Sequence, residues 1–141
     1  MLMQILTGGV LITMATATQV FFLGIMMISP HLITRWMARV SLLKVSVFIG
    51  LGALWMIVGQ LAGTWIWAVA LVWLGAFQGM EPSLYFAISA YTTLGFGDVL
   101  PPEEWRILGA LIGANGMLGF GLATAALIEF IGRVRAMSQS V

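Results

Sequence analysis

Cysteine is absent from the chain, histidine occurs once, and acidic residues are few. The lack of cysteine excludes disulfides, thiolate nucleophiles and cysteine-ligated metal sites. The acidic residues lie near the ends of apolar segments, and the sequence contains no catalytic pair, no metal-ligand cluster and no phosphate-binding loop. We therefore expect the protein not to be an enzyme and to need no cofactor.

Charge of either sign is also scarce, because only 8% of residues are charged and 61% are hydrophobic. A soluble domain averages about a quarter charged residues, and this chain has too little polar surface to cover a water-soluble fold. Lipid must therefore surround most of it. The net charge of +1 and the absence of a large basic cluster argue against nucleic acid as a partner.

Three stretches of the chain carry no charged side chain: 1–34, 45–80 and 107–128. Each is long enough for a helix of about 20 apolar residues, the length that crosses a bilayer. We predict an all-α membrane protein with three transmembrane helices, the first at about 6–28. No basic residue precedes the first apolar run, so we expect a membrane span there rather than a cleaved signal peptide.

Basic and acidic residues lie on opposite sides of these spans. Five of the six basic residues follow the first or the last span: Arg35, Arg39, Lys44, Arg133 and Arg135. The acidic residues of 81–104 lie between the second and third spans. Lysine and arginine near span ends stay in the cytoplasm. We therefore predict a multi-pass protein of the cell (inner) membrane, with its amino terminus outside and its carboxyl terminus in the cytoplasm.

The second apolar segment, 42–77, is too long for a simple span. As one helix it would measure about 54 Å, whereas the hydrocarbon core of a bilayer is about 30 Å thick. Either the helix is tilted and projects from the membrane, or it breaks near Gly59-Gln60 or Gly63-Thr64. The sequence leaves both possibilities open.

The next segment predicts a chain that enters the membrane and turns back. Pro82 suits the first turn of a helix, and the helix predicted over 83–92 is too short to cross a bilayer. Residues 93–98 are not helical in character, and a last helix is predicted over 102–134, with prolines and glutamates at its start. Non-helical backbone at membrane depth is tolerated only inside protein or along a water-filled path.

The stretch from Tyr91 to Asp98, Tyr-Thr-Thr-Leu-Gly-Phe-Gly-Asp, resembles the selectivity filter of potassium channels. That filter reads threonine-threonine-valine-glycine-tyrosine-glycine-aspartate, so Leu94 replaces the valine and Phe96 the tyrosine. The wider resemblance, over 42–135, is to small bacterial potassium channels of the two-helix-plus-pore-loop type, to which this chain adds a first helix. Together with the charge-free stretches, it predicts an N-terminal helix and basic loop at 1–41 and a pore domain at 42–141, with the outer helix at 42–77, pore helix at 83–92, filter at 93–98 and inner helix at 102–134.

The chemistry of a potassium ion agrees with this resemblance. A dehydrated ion needs oxygen atoms, which rings of backbone carbonyls supply, and we assign this role to Thr93, Leu94, Gly95 and Phe96. Successive carbonyls point the same way only if the backbone alternates in hand, which Gly95 and Gly97 permit. One chain supplies one strand of the ring. We therefore predict a homotetramer in lipid that conducts K+ passively and selectively through Thr93–Gly97, with K+ as the permeant ion.

Five further residues are candidates for supporting the filter: Thr92, Asp98, Tyr85, Phe86 and Ser89. The resemblance implies that Asp98 hydrogen-bonds the filter from behind. Tyr85 and Phe86, together with Tyr91, either form a cuff around the filter or are simply buried. Ser89 occupies a position where some channels carry a glutamate.

The predicted inner helix contains Gly113 and Gly116, which suit either a gating hinge or close packing between helices. Both interpretations stay open. No span carries the arginine repeat of a voltage sensor, and only six residues follow Arg135. We therefore expect gating by lipid, pH, ions, the filter itself or a separate regulatory subunit.

Two alternatives to selective conduction are kept. One is a weakly selective monovalent cation channel, because Leu94 and Phe96 depart from the filter pattern and phenylalanine lacks the hydroxyl that braces a tyrosine. The other is a non-conducting membrane scaffold or accessory subunit with a channel-like fold. Selective conduction alone predicts that Gly95→Ala abolishes K+ flux, since alanine resists a left-handed backbone.

Overall fold

The computed structural model describes residues 2–33 and 42–139, and this part of the chain is helical with no strand. Helix α1 is Leu2–Ile33, α2 is Leu42–Trp73, α3 is Met80–Tyr91, and α4 is Arg106–Gln139, preceded by a 3-10 turn at Glu103–Trp105. Three of the helices are long and apolar enough to cross a membrane, over Leu2–Ile28, Leu43–Trp73 and Glu103–Ala136. The predicted all-α membrane fold is confirmed. Arg35 and Arg39, and the basic loop they define, lie outside the described residues.

Helix α2 is continuous, which decides between the two possibilities left open by the sequence. Its 32 residues correspond to about 48 Å, so α2 is longer than a bilayer core of about 30 Å and must tilt or project from it. The chain does not break at Gly59 or Gly63. Instead, these glycines let Phe22 of α1 and Tyr91 of α3 approach the α2 backbone.

Helix α2 ends at Trp73, before the predicted boundary at residue 77. Gly75 has a φ of 77°, a left-handed conformation that glycine adopts without strain. Its N–H donates to the Val72 carbonyl at 3.0 Å, and the N–H of Ala76 donates to the Leu71 carbonyl at 2.9 Å. This pair of bonds is the Schellman arrangement that closes a helix. The apolar run continues beyond it, so hydrophobicity alone placed the helix end too late.

The pore helix and the last helix also differ from their predicted bounds. Helix α3 begins at Met80 rather than at 83, because Gly79 has an extended φ of −156° and serves as its N-cap. It ends at Tyr91, and its 12 residues give a length of about 18 Å. Helix α4 begins at Arg106 rather than at 102 and continues to Gln139 rather than stopping at 134.

The order of contacts fixes the relative directions of the helices. Helix α1 packs along both α2 and α4. The Gln4 side chain donates to the carbonyl of Glu104, and Gly8 lies against Leu111, so α1 and α4 run in the same direction. The Trp55 indole donates to the Phe22 carbonyl at 3.0 Å, as expected if α2 runs the opposite way.

Two buried clusters hold this bundle together, one at each end. The cluster beside α3 joins all four helices, and its largest members are Trp67, Leu71, Phe86, Tyr91 and Leu108. The cluster at the opposite end is built from Met26, Met56, Phe130 and Val134. Lys44, Arg133 and Arg135 therefore lie at the end of the bundle that is remote from Asp98 and Glu103.

Candidate ion-conduction site

The segment that follows α3 alternates in backbone hand. Thr93, Gly95 and Gly97 have positive φ values of 60°, 57° and 79°. Leu94 and Phe96, which lie between them, do not have a positive φ. Thr93 is the one non-glycine residue with a positive φ among the described residues. A side chain resists this conformation by about 1–2 kcal/mol. The sequence predicted the two glycines but not Thr93, because a β-branched residue is a poor candidate for left-handed backbone.

Ser89 holds the beginning of this segment to the pore helix. Its carbonyl accepts hydrogen bonds from the N–H groups of both Leu94, at 3.0 Å, and Gly95, at 3.2 Å. Its hydroxyl accepts a longer bond of 3.4 Å from the N–H of Phe96. Ser89 is buried. This one residue accepts hydrogen bonds from three consecutive backbone N–H groups. The sequence analysis had named Ser89 among the five candidate supports of the filter, but it did not predict these three bonds.

Asp98, at the far end of the segment, is held by the pore helix as well. The Tyr85 hydroxyl donates to Asp98 Oδ2 at 2.8 Å. This hydrogen bond, followed by desolvation and the negative charge of Asp98, raises the pKa of Tyr85 above its ordinary value of 10.0. Tyr85 therefore remains a hydrogen-bond donor at neutral pH. The structure thus brings Ser89, Tyr85 and Asp98 together around residues 94–98.

Thr92 and Phe86 do not join this group. The Thr92 hydroxyl donates to the Ile88 carbonyl of its own helix at 2.8 Å, so it closes α3. Phe86 points away from the filter and packs against Phe77, with ring centroids 5.4 Å apart. Its ring also occupies the space beside Gly109 of α4. Of the three predicted cuff aromatics, Tyr85 bonds Asp98, Phe86 packs behind α3, and Tyr91 is buried with its hydroxyl on Gln60.

Gly116 is the point at which α4 meets the end of α3. A methyl group added at Gly116 would overlap the carbonyl oxygen of Tyr91. Gly113, one turn earlier, would place a methyl group 3.3 Å from the carbonyl oxygen of Ala90. Close packing thus accounts for Gly116 directly, while a hinge at either glycine stays a prediction.

Two ion pairs lie on the surface, one at the start of α4 and one near its end. Glu103 and Arg106 form a salt bridge of 3.1 Å, and Glu129 and Arg133 form one of 2.9 Å. All four side chains are well exposed, and such pairs contribute at most about 1 kcal/mol each. Within the described residues, no group of three histidine or acidic side chains is arranged to hold a metal ion.

Residues 54–133, more than half of the chain, match the family model described as Ion channel. The chain belongs to this family of ion channels. The match runs from the middle of α2 through α3 and the segment after it to near the end of α4. It supports passive ion conduction through a membrane, hence a transport protein rather than an enzyme. No solved structure matches the chain.

The family match does not include α1, although this helix is packed along the whole channel domain. Its contacts with α4 extend from Gln4 near one end to Gln19 in the bundle interior. Phe22 continues them onto α2, where its ring lies 4.9 Å from that of Trp55. The channel domain of this protein therefore comes with a third long helix built into its core.

Proposed function

We propose that the protein is the pore subunit of a potassium-selective channel that conducts K+ passively through the carbonyls of Thr93–Gly97. The observation that carries this proposal is the alternation of backbone hand at Thr93, Gly95 and Gly97. It occurs directly after a helix too short to cross the membrane, where irregular backbone is stable only along a water-filled path or inside protein. Rings of such carbonyls replace the water shell of K+.

The same proposal includes assembly as a homotetramer around the filter. Residues 93–98 are exposed in the single chain, with 60% of Leu94 and 68% of Phe96 accessible. One strand offers carbonyls from one side only, whereas an ion cage needs oxygen atoms all around. Four copies with their filter strands facing a common axis supply them. The C-terminal end of α3, which carries partial negative charge, then favours a cation below the filter.

The charges suggest how the channel is oriented. The basic residues Lys44, Arg133 and Arg135 lie at one end of the bundle, and the filter and its acidic neighbours lie at the other. Because basic residues near span ends remain in the cytoplasm, we place the filter entrance and the start of α1 outside and the end of α4 inside the cell (inner) membrane.

Flux into liposomes tests the proposal. Purified protein should admit K+ and discriminate against Na+, and Gly95→Ala should abolish the K+ flux because alanine resists the φ of 57° found there. Gly75→Ala is the matched control, since Gly75 also has a positive φ, of 77°, but lies outside the filter. A Gly95→Ala protein that assembles normally and conducts K+ like the native protein would contradict a filter at this position.

Weak selectivity among monovalent cations is the second candidate. It is favoured by the long 3.4 Å contact between the Phe96 N–H and Ser89 and by the exposure of the Phe96 ring, which carries no hydroxyl with which to bond a neighbour. Phe96→Tyr should then shift the reversal potential toward that of K+ in mixed K+ and Na+ solutions. Unchanged reversal potentials in Phe96→Tyr would argue against weak selectivity caused by the missing hydroxyl.

A further inference from the structure

Two hydrogen bonds, one buried and one partly buried, join α1 to the middle of α4. The Gln19 side-chain amide donates to the carbonyl of Gly119 at 2.7 Å. The Asn115 side-chain amide donates to the Thr16 hydroxyl at 3.1 Å. Both contacts lie on one face of each helix, about one turn apart. Gln19 and Asn115 are only 3% and 2% exposed, so neither side chain has water as an alternative partner.

Asn115 extends this connection to α2. The indole N–H of Trp67, which is fully buried, donates to Asn115 Oδ1 at 2.9 Å. Asn115 thus uses one side-chain atom for α1 and the other for α2. An asparagine in an apolar bundle is costly unless it is hydrogen-bonded, and here both polar atoms of its side chain have partners.

Gly119 brings the pore helix into the same group. A methyl group added at Gly119 would lie 2.7 Å from Gln19 Oε1 and from the Tyr91 hydroxyl, and 2.9 Å from Gln60 Oε1. Tyr91 donates its hydroxyl proton to Gln60 Oε1 at 3.1 Å. Side chains from α1, α2 and α3 therefore converge on the backbone of α4 at one glycine.

This part of α4 is also the part that supports the beginning of the filter. Gly116, between the two α1 contacts, is the residue packed against the Tyr91 carbonyl, and Thr92 and Thr93 follow Tyr91 directly. A shift of α4 past the pore helix at this level must either break the bonds to Thr16 and Gln19 or carry α1 along. If α4 has two arrangements relative to α3, contacts that are more favourable in one of them increase the population of that arrangement.

We propose that α1 is a gating element of the channel. Thr16 and Gln19 act as positioning residues that hold the 115–119 segment of α4 in the arrangement described here, and so set the balance between conducting and non-conducting states. The inference rests on the proposed conduction. It goes beyond the family match, which covers residues 54–133 and leaves α1 outside.

Single-channel recording of Gln19→Leu and Thr16→Val tests the inference. Each change removes one bond between α1 and α4 at nearly constant side-chain volume. The ratio of open to closed time should change by at least about threefold in each variant, as expected from the loss of one buried hydrogen bond. The change should have the same direction in both variants, because both release the same segment. Single-channel current and reversal potential should stay native, because the filter bonds are untouched.

Thr18→Val is the matched control on the same helix. The Thr18 hydroxyl donates to the Met14 carbonyl within α1 at 2.9 Å and reaches no other helix. The open fraction of the Thr18→Val channel should equal that of the native channel. Opposite shifts in Gln19→Leu and Thr16→Val, or native gating in both, would overturn the inference while leaving the conduction proposal intact.

Hydrogen exchange in detergent supplies a readout that does not depend on conduction. Backbone amides of 115–123 should exchange faster in Gln19→Leu than in the native protein and in Thr18→Val, with tetramer assembly checked by size exclusion. Unchanged exchange in this segment means that Gln19 does not position α4, which overturns the inference. If the native protein conducts no ions in liposomes, the proposed function and the gating role are both overturned, whatever the hydrogen-exchange result.

Discussion

The Tyr85 hydroxyl donates a 2.8 Å hydrogen bond to Asp98 Oδ2, so α3 holds the last residue of the 93–98 segment, the proposed filter, by a side-chain contact across 13 positions. Tyr85 lies within α3, and Asp98 lies at the end of the segment whose earlier N–H groups, from Leu94 to Phe96, are bonded to Ser89. The filter segment is therefore held at its beginning by backbone bonds and at its end by one side-chain bond. Its far end should be the part most easily disturbed.

Tyr85→Phe should lower K+ flux several-fold while the tetramer still assembles. The substitution removes one hydroxyl from an exposed position, so the packing of α3 is preserved and only the tie to Asp98 is lost. Macroscopic currents should also decline faster during a sustained voltage step, because the freed filter end is less well ordered. Phe86→Leu is the control. Phe86 packs against Phe77 and Gly109, so this substitution should lower thermal stability more than it changes the current decay. Native current decay in Tyr85→Phe would show that the bond is dispensable.

The Tyr85–Asp98 pair also predicts a pH dependence. Because the hydrogen bond to Asp98 raises the pKa of Tyr85 above 10.0, the neutral phenol is the form that the folded state favours. The stabilisation is fully present below pH 10.0 and is lost as pH rises through the higher pKa of the folded protein. Absorbance titration of tyrosinate, taken as the difference between the native and Tyr85→Phe proteins, should show this raised midpoint. Asp98→Asn should lower the midpoint, and an unshifted midpoint would argue against the bond.

The existence of the helices and the positive φ of Gly95 and Gly97 were predictable because both depend on local sequence. Charge-free stretches of sufficient length define spans, and Gly95 and Gly97 define a backbone that alternates in hand. The helix ends were less predictable, since Trp73 is followed by more apolar residues and only the conformation of Gly75 closes α2. Thr93 was named as an ion ligand, but its positive φ was not predicted, because its side chain disfavours that conformation.

The contacts of α1 were not predictable from the sequence. Gln19 and Gly119 are 100 positions apart, and the apolar residues of α1 are distributed around the whole helix, with no polar face to indicate which side is buried. The hydrogen bonds of Ser89 were not predictable either, because they depend on where the chain turns after α3. In a membrane, where lipid and protein interior are equally apolar, buried polar side chains indicate packing faces better than hydrophobicity does.

Gly116→Ala should destabilise the folded channel by roughly 1–3 kcal/mol, the usual cost of overpacking. The added methyl group would overlap the Tyr91 carbonyl, and a backbone atom at the end of the pore helix yields less readily than a side chain. The thermal midpoint of the assembled protein in detergent should fall. Gly121→Ala in the same helix is the matched control, because no atom lies within 4 Å of the position of its added methyl group, and it should keep the native midpoint or raise it.

Gly113→Ala separates packing from a hinge. Its methyl group would lie 3.3 Å from the Ala90 carbonyl, a tight contact that small adjustments can relieve. If α4 bends at Gly113 during opening, the variant should be nearly as stable as the native protein but open less often. A variant with native stability and a native open fraction would remove Gly113 from the candidate hinges.

Thr93 is held at a φ of 60°, and substitutions there separate the roles of its hydroxyl and its backbone. Thr93→Ser keeps the hydroxyl and removes the branched methyl group, so it should conduct and select like the native channel. Thr93→Val keeps the branched shape but loses the hydroxyl oxygen. If that oxygen adds a ligand at the inner end of the proposed filter, the variant should have lower K+ selectivity. Thr93→Gly should relieve a strain of about 1–2 kcal/mol and raise the thermal midpoint, yet select poorly because the strand is less well fixed. Equal reversal potentials in the serine and valine variants would show that the Thr93 hydroxyl takes no part in ion binding, leaving only the backbone carbonyls in that role.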